Sequence, residues 1–313
     1  MHRRVLPLPA SAALLQAYGG APGRWQARVV DPELAPMQAP QVSCLMPTRA
    51  RAAMARTAIA CWQAQTWEAR ELVIVEQGGS GELAEWVEGL GDARIRHHRV
   101  PEGSMILGEQ RNETLRLARG EYVAIWDDDD YSHPLRLQLQ MQAALQTGSQ
   151  ACWLARTLTW RAARRQLWTT RVRAMEGTLV CRADTMPRFP TLPRGEDTPV
   201  KYALLDQAQA VVLDAPALYV YCLHEHNTWS DGHFSFLHGE RSGEWLGRDY
   251  DQAMRDIAAW PALRHDARLA THLAELDARP TAASVWERLR AGKRRFDQWR
   301  SGATRLDQAW KNR

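Results

Sequence analysis

Runs of apolar residues alternate with amphipathic segments over the first half of the chain. Residues 41–46 form an apolar run that ends at Pro47, and residues 71–76 form a β-branched run that ends in a Gly-rich turn, so both predict buried strands. The same pattern predicts further strands over residues 93–100 and 121–126, and helices over residues 49–65, 107–120 and 134–148. A strand–helix rhythm of this kind implies a mostly parallel, doubly wound sheet.

Beyond Gly148 the β-rich runs follow one another closely, which favours an antiparallel part. We predict a hairpin from residues 151–161 and 166–174, then strands over residues 177–183, 209–214 and 217–224, and a helix over residues 200–207. From about Ser242 the chain becomes amphipathic and helical, with tryptophans among arginines. The predicted domains are an irregular N-terminal extension (1–40), a central α/β domain (41–240, with halves 41–148 and 149–240) and a helical C-terminal appendage (241–313).

Composition narrows the class of protein. A net charge of +4 over 313 residues is too mild to argue for nucleic acid, so we expect no nucleic-acid partner. The five cysteines are scattered and form no zinc-like cluster, which favours reduced, mostly buried thiols in the cytoplasm. No stretch approaches the ~20 apolar residues of a membrane span, and prolines interrupt any signal-peptide pattern near the N-terminus.

Four consecutive carboxylates, Asp127 to Asp130, directly follow the strand predicted at residues 121–126. One interpretation is that Asp129 or Asp130 caps the next helix and the others are solvated. The other is a site for Mg²⁺ or Mn²⁺, which take oxygen ligands and commonly combine one or two carboxylates with substrate phosphates. The position at a strand end of an α/β sheet favours the metal site.

Three other constellations are weaker when each is taken alone. Glu196 and Asp197 open a predicted helix, where acidic residues are common, although one of them could also be a general base. His224 and His226 stand at a strand end and could bind metal, but satisfied or solvated histidines are commoner. Arg111, early in a helix, is by itself an ordinary surface arginine.

Taken together and in order, these segments resemble the family 2 glycosyltransferases. The resemblance is carried by "VSCLMPTRARAAMARTAIACWQAQTWEARELVIVEQGGSGE", "RNETLRLARGEYVAIWDDDDYSHPLRLQLQ", "RGEDTP" and "HEHNTWS", and it covers roughly residues 41–230. It implies a GT-A fold, with a nucleotide-sugar-binding half (41–148) and an acceptor-binding half (149–240). It also implies inverting transfer of a sugar from a nucleoside-diphosphate donor, with Mn²⁺ or Mg²⁺ as the cofactor.

The resemblance also implies roles for individual residues. Asp197 matches the general base, and Asp127 and Asp129 match the two acids of the DxD motif, with Asp128 between them and Asp130 expected to cap the next helix. The implied nucleotide-sugar-binding residues are Pro47, Thr48, Glu76, Arg111, Asp127 and Asp128. The implied metal ligands are Asp127, Asp129 and His224. In such a reaction the dication stabilises the departing diphosphate, and one carboxylate suffices to deprotonate the acceptor hydroxyl.

Some features leave alternatives open. Where relatives commonly have Asp-Asp-Gly-Ser, this chain has "EQGG" from Glu76, so one carboxylate is kept and the next becomes an amide; uridine is still the favoured base. No motif in the sequence identifies the acceptor, which could be a saccharide, a lipid-linked molecule or a protein. The C-terminal helices could contact a membrane or a partner, although packing on the catalytic domain is favoured. The rival functions are an inactive GT-A-like scaffold and, more remotely, a nucleotidyltransferase.

Overall fold

The computed structural model describes residues 13–16, 26–29, 39–207, 209–225, 227–229 and 241–278. His226 and the tryptophans beyond residue 278, which entered the predictions above, lie outside the described residues. Within them the strands are β1 (Ala13–Gln16), β2 (Gln26–Val29), β3 (Val42–Arg49), β4 (Arg70–Gln77), β5 (Ile95–Val100), β6 (Tyr122–Ile125), β7 (Tyr131–Ser132), β8 (Ala151–Leu154), β9 (Leu158–Arg161), β10 (Gln166–Thr170), β11 (Val180–Arg182), β12 (Ala210–Asp214), β13 (Tyr219–Leu223) and β14 (Arg241–Trp245). The α-helices are α1 (Ala52–Gln63), α2 (Glu82–Leu90), α3 (Leu107–Leu117), α4 (Arg136–Thr147), α5 (Asp197–Gln207), α6 (Gly247–Ala258) and α7 (Ala267–Asp277).

The main sheet is mostly parallel, as the alternating pattern predicts. Its spatial order is β2-β1-β12-β8-β11-β6-β3-β4-β5. The strands β6, β3, β4 and β5 run parallel to one another, and β8 runs parallel to β12. All eight residues of β4 are buried, which fits a parallel strand covered on both faces. Between the two parallel groups, β11 is antiparallel to both β6 and β8.

The strand β3 continues through Pro47, where we expected it to end. Its pairing with β6 stops at Leu45, whereas its pairing with β4 runs on to Arg49. Beyond Leu45 β3 is therefore bonded on one side only, where the missing N–H of a proline is tolerated. This extension carries Thr48 past the end of β6.

The second sheet has five strands in the order β14-β10-β9-β13-β7. β9 and β10 form the predicted hairpin, and β13 adds parallel to β9. The segment 151–161 is not one strand, because β8 belongs to the main sheet and only β9 belongs to the hairpin. This second sheet faces the site described below.

Two domain boundaries differ from the prediction. The N-terminal extension is not wholly irregular, since β1 pairs with β12 and with β2 at the edge of the main sheet. The C-terminal appendage begins with a strand, β14, which pairs with β10. The chain divides into two compact units, Met1–Asp266 and Ala267–Arg313, so α6 belongs to the first and α7 to the second.

All five cysteines, Cys44, Cys61, Cys152, Cys181 and Cys222, are buried thiols outside any disulfide, as their scattered positions predict. Burial raises the pKa of Cys44, Cys152 and Cys181 to about 12. These thiols therefore behave as small apolar side chains. Among the described residues no helix combines the length and the apolar character that crossing a bilayer requires.

Candidate active site

The candidate site lies at the carboxyl ends of β3 and β6, the edge of a parallel sheet where ligands of α/β folds bind. β6 ends at Ile125, and after Trp126 the chain enters the four carboxylates. Because Leu45 of β3 pairs with Ile125, the continuation of β3 runs beside this acidic run. Each of the four carboxylates has its own partners, and they differ in kind.

Asp128 is buried and is neutralised by Arg51. The Thr48 hydroxyl donates to Asp128 Oδ2 at 2.6 Å, and Arg51 donates from Nε to the same oxygen at 3.0 Å and from Nη2 to Oδ1 at 2.5 Å. Burial raises the pKa of Asp128 to about 7, and the Arg51 charge opposes that rise. Thr48 lies inside β3, and its hydroxyl supports this carboxylate.

Asp129 lies between an arginine and a histidine. Arg51 Nη1 donates to Asp129 Oδ2 at 3.0 Å, and His224 Nε2 lies 3.1 Å from the same oxygen. His224, which follows β13, thus reaches the acidic run across 95 positions of sequence. The two residues that the sequence assigned to a metal, Asp129 and His224, are therefore brought together.

The donor set at this point fits a small dication only in part. Two ligands on neighbouring positions of an octahedral ion, each at about 2.1 Å, are about 3 Å apart, which the Asp129–His224 separation matches. Within the described residues, however, no group of three or more His, Cys, Asp or Glu side chains is arranged to hold a metal. Asp127 does not join the pair as the side chains stand, so its role as a ligand stays a prediction.

Asp127 is bound by Arg111, which bridges it to Glu196. Arg111 donates from Nη2 to Asp127 Oδ1 at 2.9 Å and from Nε to Glu196 Oε1 at 2.6 Å. Burial alone would lower the pKa of Arg111, but Asp127 and Glu196 outweigh burial and hold that pKa above its usual range. Within the described part of the chain, the third nitrogen, Nη1, is buried without a hydrogen-bond partner. Arg111 is thus far from an ordinary surface arginine.

Asp130 is not a helix cap. It is buried, accepts from the backbone N–H of Cys222 at 2.7 Å and accepts from the Tyr219 hydroxyl. The helix α4 begins six residues later and has Leu135 at its N-cap position. Burial raises the pKa of Asp130 well above its usual range. This residue therefore anchors β13 to the acidic run and takes no part in helix capping.

Behind the run lies a fully buried cation, Arg136, which the sequence did not reveal. Its guanidinium donates to the Ile125 carbonyl and the Ser132 hydroxyl, both at 2.9 Å, and lies 4.9 Å from the ring centres of Trp126 and Tyr219. A buried guanidinium with hydrogen bonds and two aromatic faces is an internal counter-charge for the nearby carboxylates.

Asp197 opens α5, and Arg111 links its neighbour Glu196 to Asp127 of the acidic run. The preceding turn has Gly195 at φ 67°, a left-handed conformation that favours glycine. Burial, assisted by the negative charge of Glu196, raises the pKa of Asp197 to about 6, and Arg111 opposes the rise. A carboxylate with a pKa near 6 is suited to accept a proton at neutral pH.

Glu76, the last acidic residue of β4, is buried against its own turn. It lies 3.0 Å from His97 Nε2 and 3.7 Å from Arg99 Nε. Gly79 has φ 83°, a left-handed conformation that favours glycine, and an added Cβ would lie 2.6 Å from Glu76 Oε1. The Gly-rich turn that the sequence showed is therefore shaped around this carboxylate.

A cavity of about 450 Å³ joins these groups. The predicted site residues that line it are Pro47, Arg111, Asp127, Asp128, Asp129 and Asp197. Thr48, Glu76 and His224 are not among the described residues of its lining. Thr48 contacts the site through Asp128, and His224 contacts it through Asp129. The sequence missed Arg51, whose only signal is the basic stretch "TRARAAMAR" directly after Thr48.

Comparison with known proteins decides the family. The model of Glycosyl transferase family 2 matches residues 43–188, which hold the parallel strands, Arg111 and the acidic run. Residues 43–188 belong to glycosyl transferase family 2. A curated relative, the putative colanic acid biosynthesis glycosyl transferase WcaA of Escherichia coli (strain K12), is 34% identical over 104 residues, 32% of this chain. That match spans 36% of the relative, about a third of its length.

Solved structures show that the chain has the GT-A fold. S. aureus TarS residues 1–349 in complex with UDP-GlcNAc superposes with a TM-score of 0.51 at 20% identity, over 75% of this chain and 71% of that one. The TarS complex with UDP gives a TM-score of 0.50 at 20% identity, over 75% and 70% of the two chains. The predictions of family and of fold class are confirmed.

Proposed function

We propose that this family 2 protein is an inverting, metal-dependent glycosyltransferase that moves a sugar from a nucleoside-diphosphate donor to a hydroxyl acceptor. One observation carries the proposal. The acidic run and a separate carboxylate of raised pKa, Asp197, line one cavity. Single displacement needs two such groups, one beside the leaving diphosphate and one beside the attacking hydroxyl.

On the donor side of the cavity, the side chains suit a diphosphate. Arg111 presents a buried nitrogen, Nη1, that has no hydrogen-bond partner among the described residues, and such a nitrogen can donate to a phosphate oxygen. Asp129 and His224 would hold Mn²⁺ or Mg²⁺, and the bound ion would stabilise the charge on the departing phosphates. Uridine is the proposed base, supported by TarS, whose structure contains UDP-GlcNAc.

On the acceptor side of the cavity, Asp197 is the proposed general base. Its carboxylate takes the proton of the acceptor hydroxyl as that oxygen attacks the anomeric carbon from the face opposite the diphosphate. Because the attack is a single displacement, no covalent sugar–enzyme intermediate forms and the anomeric configuration inverts. Arg111 links the two halves, because it bonds Asp127 on the donor side and Glu196, the neighbour of Asp197, on the other.

The first experiment identifies the nucleotide-sugar donor. A thermal-shift screen of nucleotide sugars with Mn²⁺ should show stabilisation by a UDP-sugar that disappears in chelator, because a ligand of the native state raises the unfolding temperature. Slow release of UDP from that donor, with water as the acceptor, then gives an assay that needs no known acceptor. NMR of the released sugar should show the inverted anomer.

The base is tested with Asp197→Asn. The variant should bind UDP and Mn²⁺ with wild-type affinity in calorimetry and lose donor hydrolysis. Asp206→Asn is the matched control, since Asp206 is an exposed carboxylate on the same helix and should leave both measurements unchanged. Undiminished hydrolysis by Asp197→Asn would remove Asp197 as the base.

A further inference from the structure

The part of the cavity formed by the second half of the chain carries cations at its mouth. Arg171 and Arg173 follow β10, Lys201 lies on α5, and all three line the cavity. Lys201 pairs with Glu176, and Arg173 Nη2 lies 3.4 Å from the same carboxylate. Arg171 is exposed and has no carboxylate partner among the residues that the structure describes. The mouth therefore offers positive charge to a ligand.

Two exposed aromatic side chains stand at the same mouth. Tyr202 is 58% exposed and Trp229 is 36% exposed, and both line the cavity. The guanidinium of Arg194 lies 5.5 Å from the ring centre of Trp229. Arg194 is also exposed and, in the described part of the chain, has no carboxylate partner. Lys201 Nζ lies 4.9 Å from the ring centre of Tyr202. Exposed aromatic side chains beside a cavity are typical of a surface that a ligand covers.

We infer that the acceptor mouth, defined as Arg171, Tyr202 and Trp229 of the cavity lining together with Arg194 on the Trp229 ring, binds an acidic saccharide. The apolar face of a sugar ring would lie on the aromatic side chains. A carboxylate or a phosphate on that sugar would be held by the two arginines, whose planar guanidinium groups match such anions. A neutral acceptor would leave both arginines without a counter-charge. That this saccharide is the acceptor of the reaction rests on the proposed function.

Three ligands that share one ring test the charge requirement. Glucose, glucuronic acid and glucose 6-phosphate differ only at carbon 6, which is neutral, a carboxylate or a phosphate. In ligand-observed NMR titrations at low salt, at least one of the two anions should bind about tenfold or more tightly than glucose. The preferred anion identifies the acidic group, and its binding should weaken as salt is added. Equal affinity for all three ligands would overturn the inference.

Two double variants test where the acidic saccharide binds. Arg171→Gln/Arg194→Gln should abolish the preference for the anion and leave the affinity for UDP unchanged. The matched control is Arg119→Gln/Arg188→Gln, which removes the same charge from two exposed arginines that are not lining residues and are not on the Trp229 ring, and it should keep the preference. Persistence of the preference in the first pair would also overturn the inference.

The two proposals fail separately. If the protein binds no nucleotide, yet shows an anion preference that depends on Arg171 and Arg194, the donor assignment fails and the acidic-saccharide site stands. If UDP binds and is released from its sugar, but no acidic sugar is preferred, the glycosyltransferase stands and the acceptor mouth is wrong.

Discussion

Replacing Arg111 with methionine should destabilise the protein far more than the same replacement at Arg116, five residues further along α3. The Arg111 side chain is only 9% exposed, and it pairs with Glu196, which is 2% exposed. Removing one member of a buried pair leaves the other charge without compensation, at a cost of about 3–5 kcal/mol. At Arg116, which is 62% exposed and pairs with Glu113, the loss should be much smaller, because water screens an exposed ion pair.

Urea unfolding at pH 7, followed by tryptophan fluorescence, measures both free energies of unfolding. The double variant Arg111→Met/Glu196→Gln should recover part of the loss, because it also removes the uncompensated buried charge and leaves only Asp127 without its partner. If Arg111→Met loses no more stability than Arg116→Met, burial does not set the strength of this ion pair and the reasoning is wrong.

Three further predictions address the site and its frame. The kcat/KM of donor hydrolysis should fall about tenfold per pH unit below pH 6, because protonated Asp197 cannot accept a proton; a rate flat to pH 4.5 would exclude it as the titrating base. Arg51→Gln should strengthen Mn²⁺ binding, measured by electron paramagnetic resonance of the free ion, because Arg51 competes for Asp129; weaker binding would contradict this. Gly108→Ala should lower the free energy of unfolding, measured with urea, by about 1–3 kcal/mol, since its Cβ would meet the Pro190 carbonyl at 2.0 Å. Gly89→Ala, in open space on α2, is the control and should raise that free energy by up to about 1 kcal/mol.

The parallel strands and the family could be predicted because their signals are local. A buried parallel strand is a continuous apolar run, and the motifs of the family follow each other in order along the chain. The placement of Asp127 to Asp129 and Asp197 around one cavity follows from their positions at the ends of elements, which the alternating pattern already gave.

The partners of the carboxylates could not be predicted, because they come from distant segments. Asp130 fits the local rule for a helix cap, yet its partners Tyr219 and Cys222 lie 89 and 92 positions away. Arg51 reaches Asp128 across 77 positions. A local pattern says that four adjacent charges need compensation, but it does not say which cation supplies it.

The burial of every cysteine has a practical consequence for following ligands in solution. Because all five native thiols are enclosed, a cysteine introduced on the surface would be the fast-reacting one in the folded chain. Val172, which is 46% exposed between Arg171 and Arg173, offers such a position at the rim of the cavity. A Val172→Cys variant would accept a single thiol-reactive fluorophore without removal of any native cysteine, and its emission would report the arrival of a sugar directly.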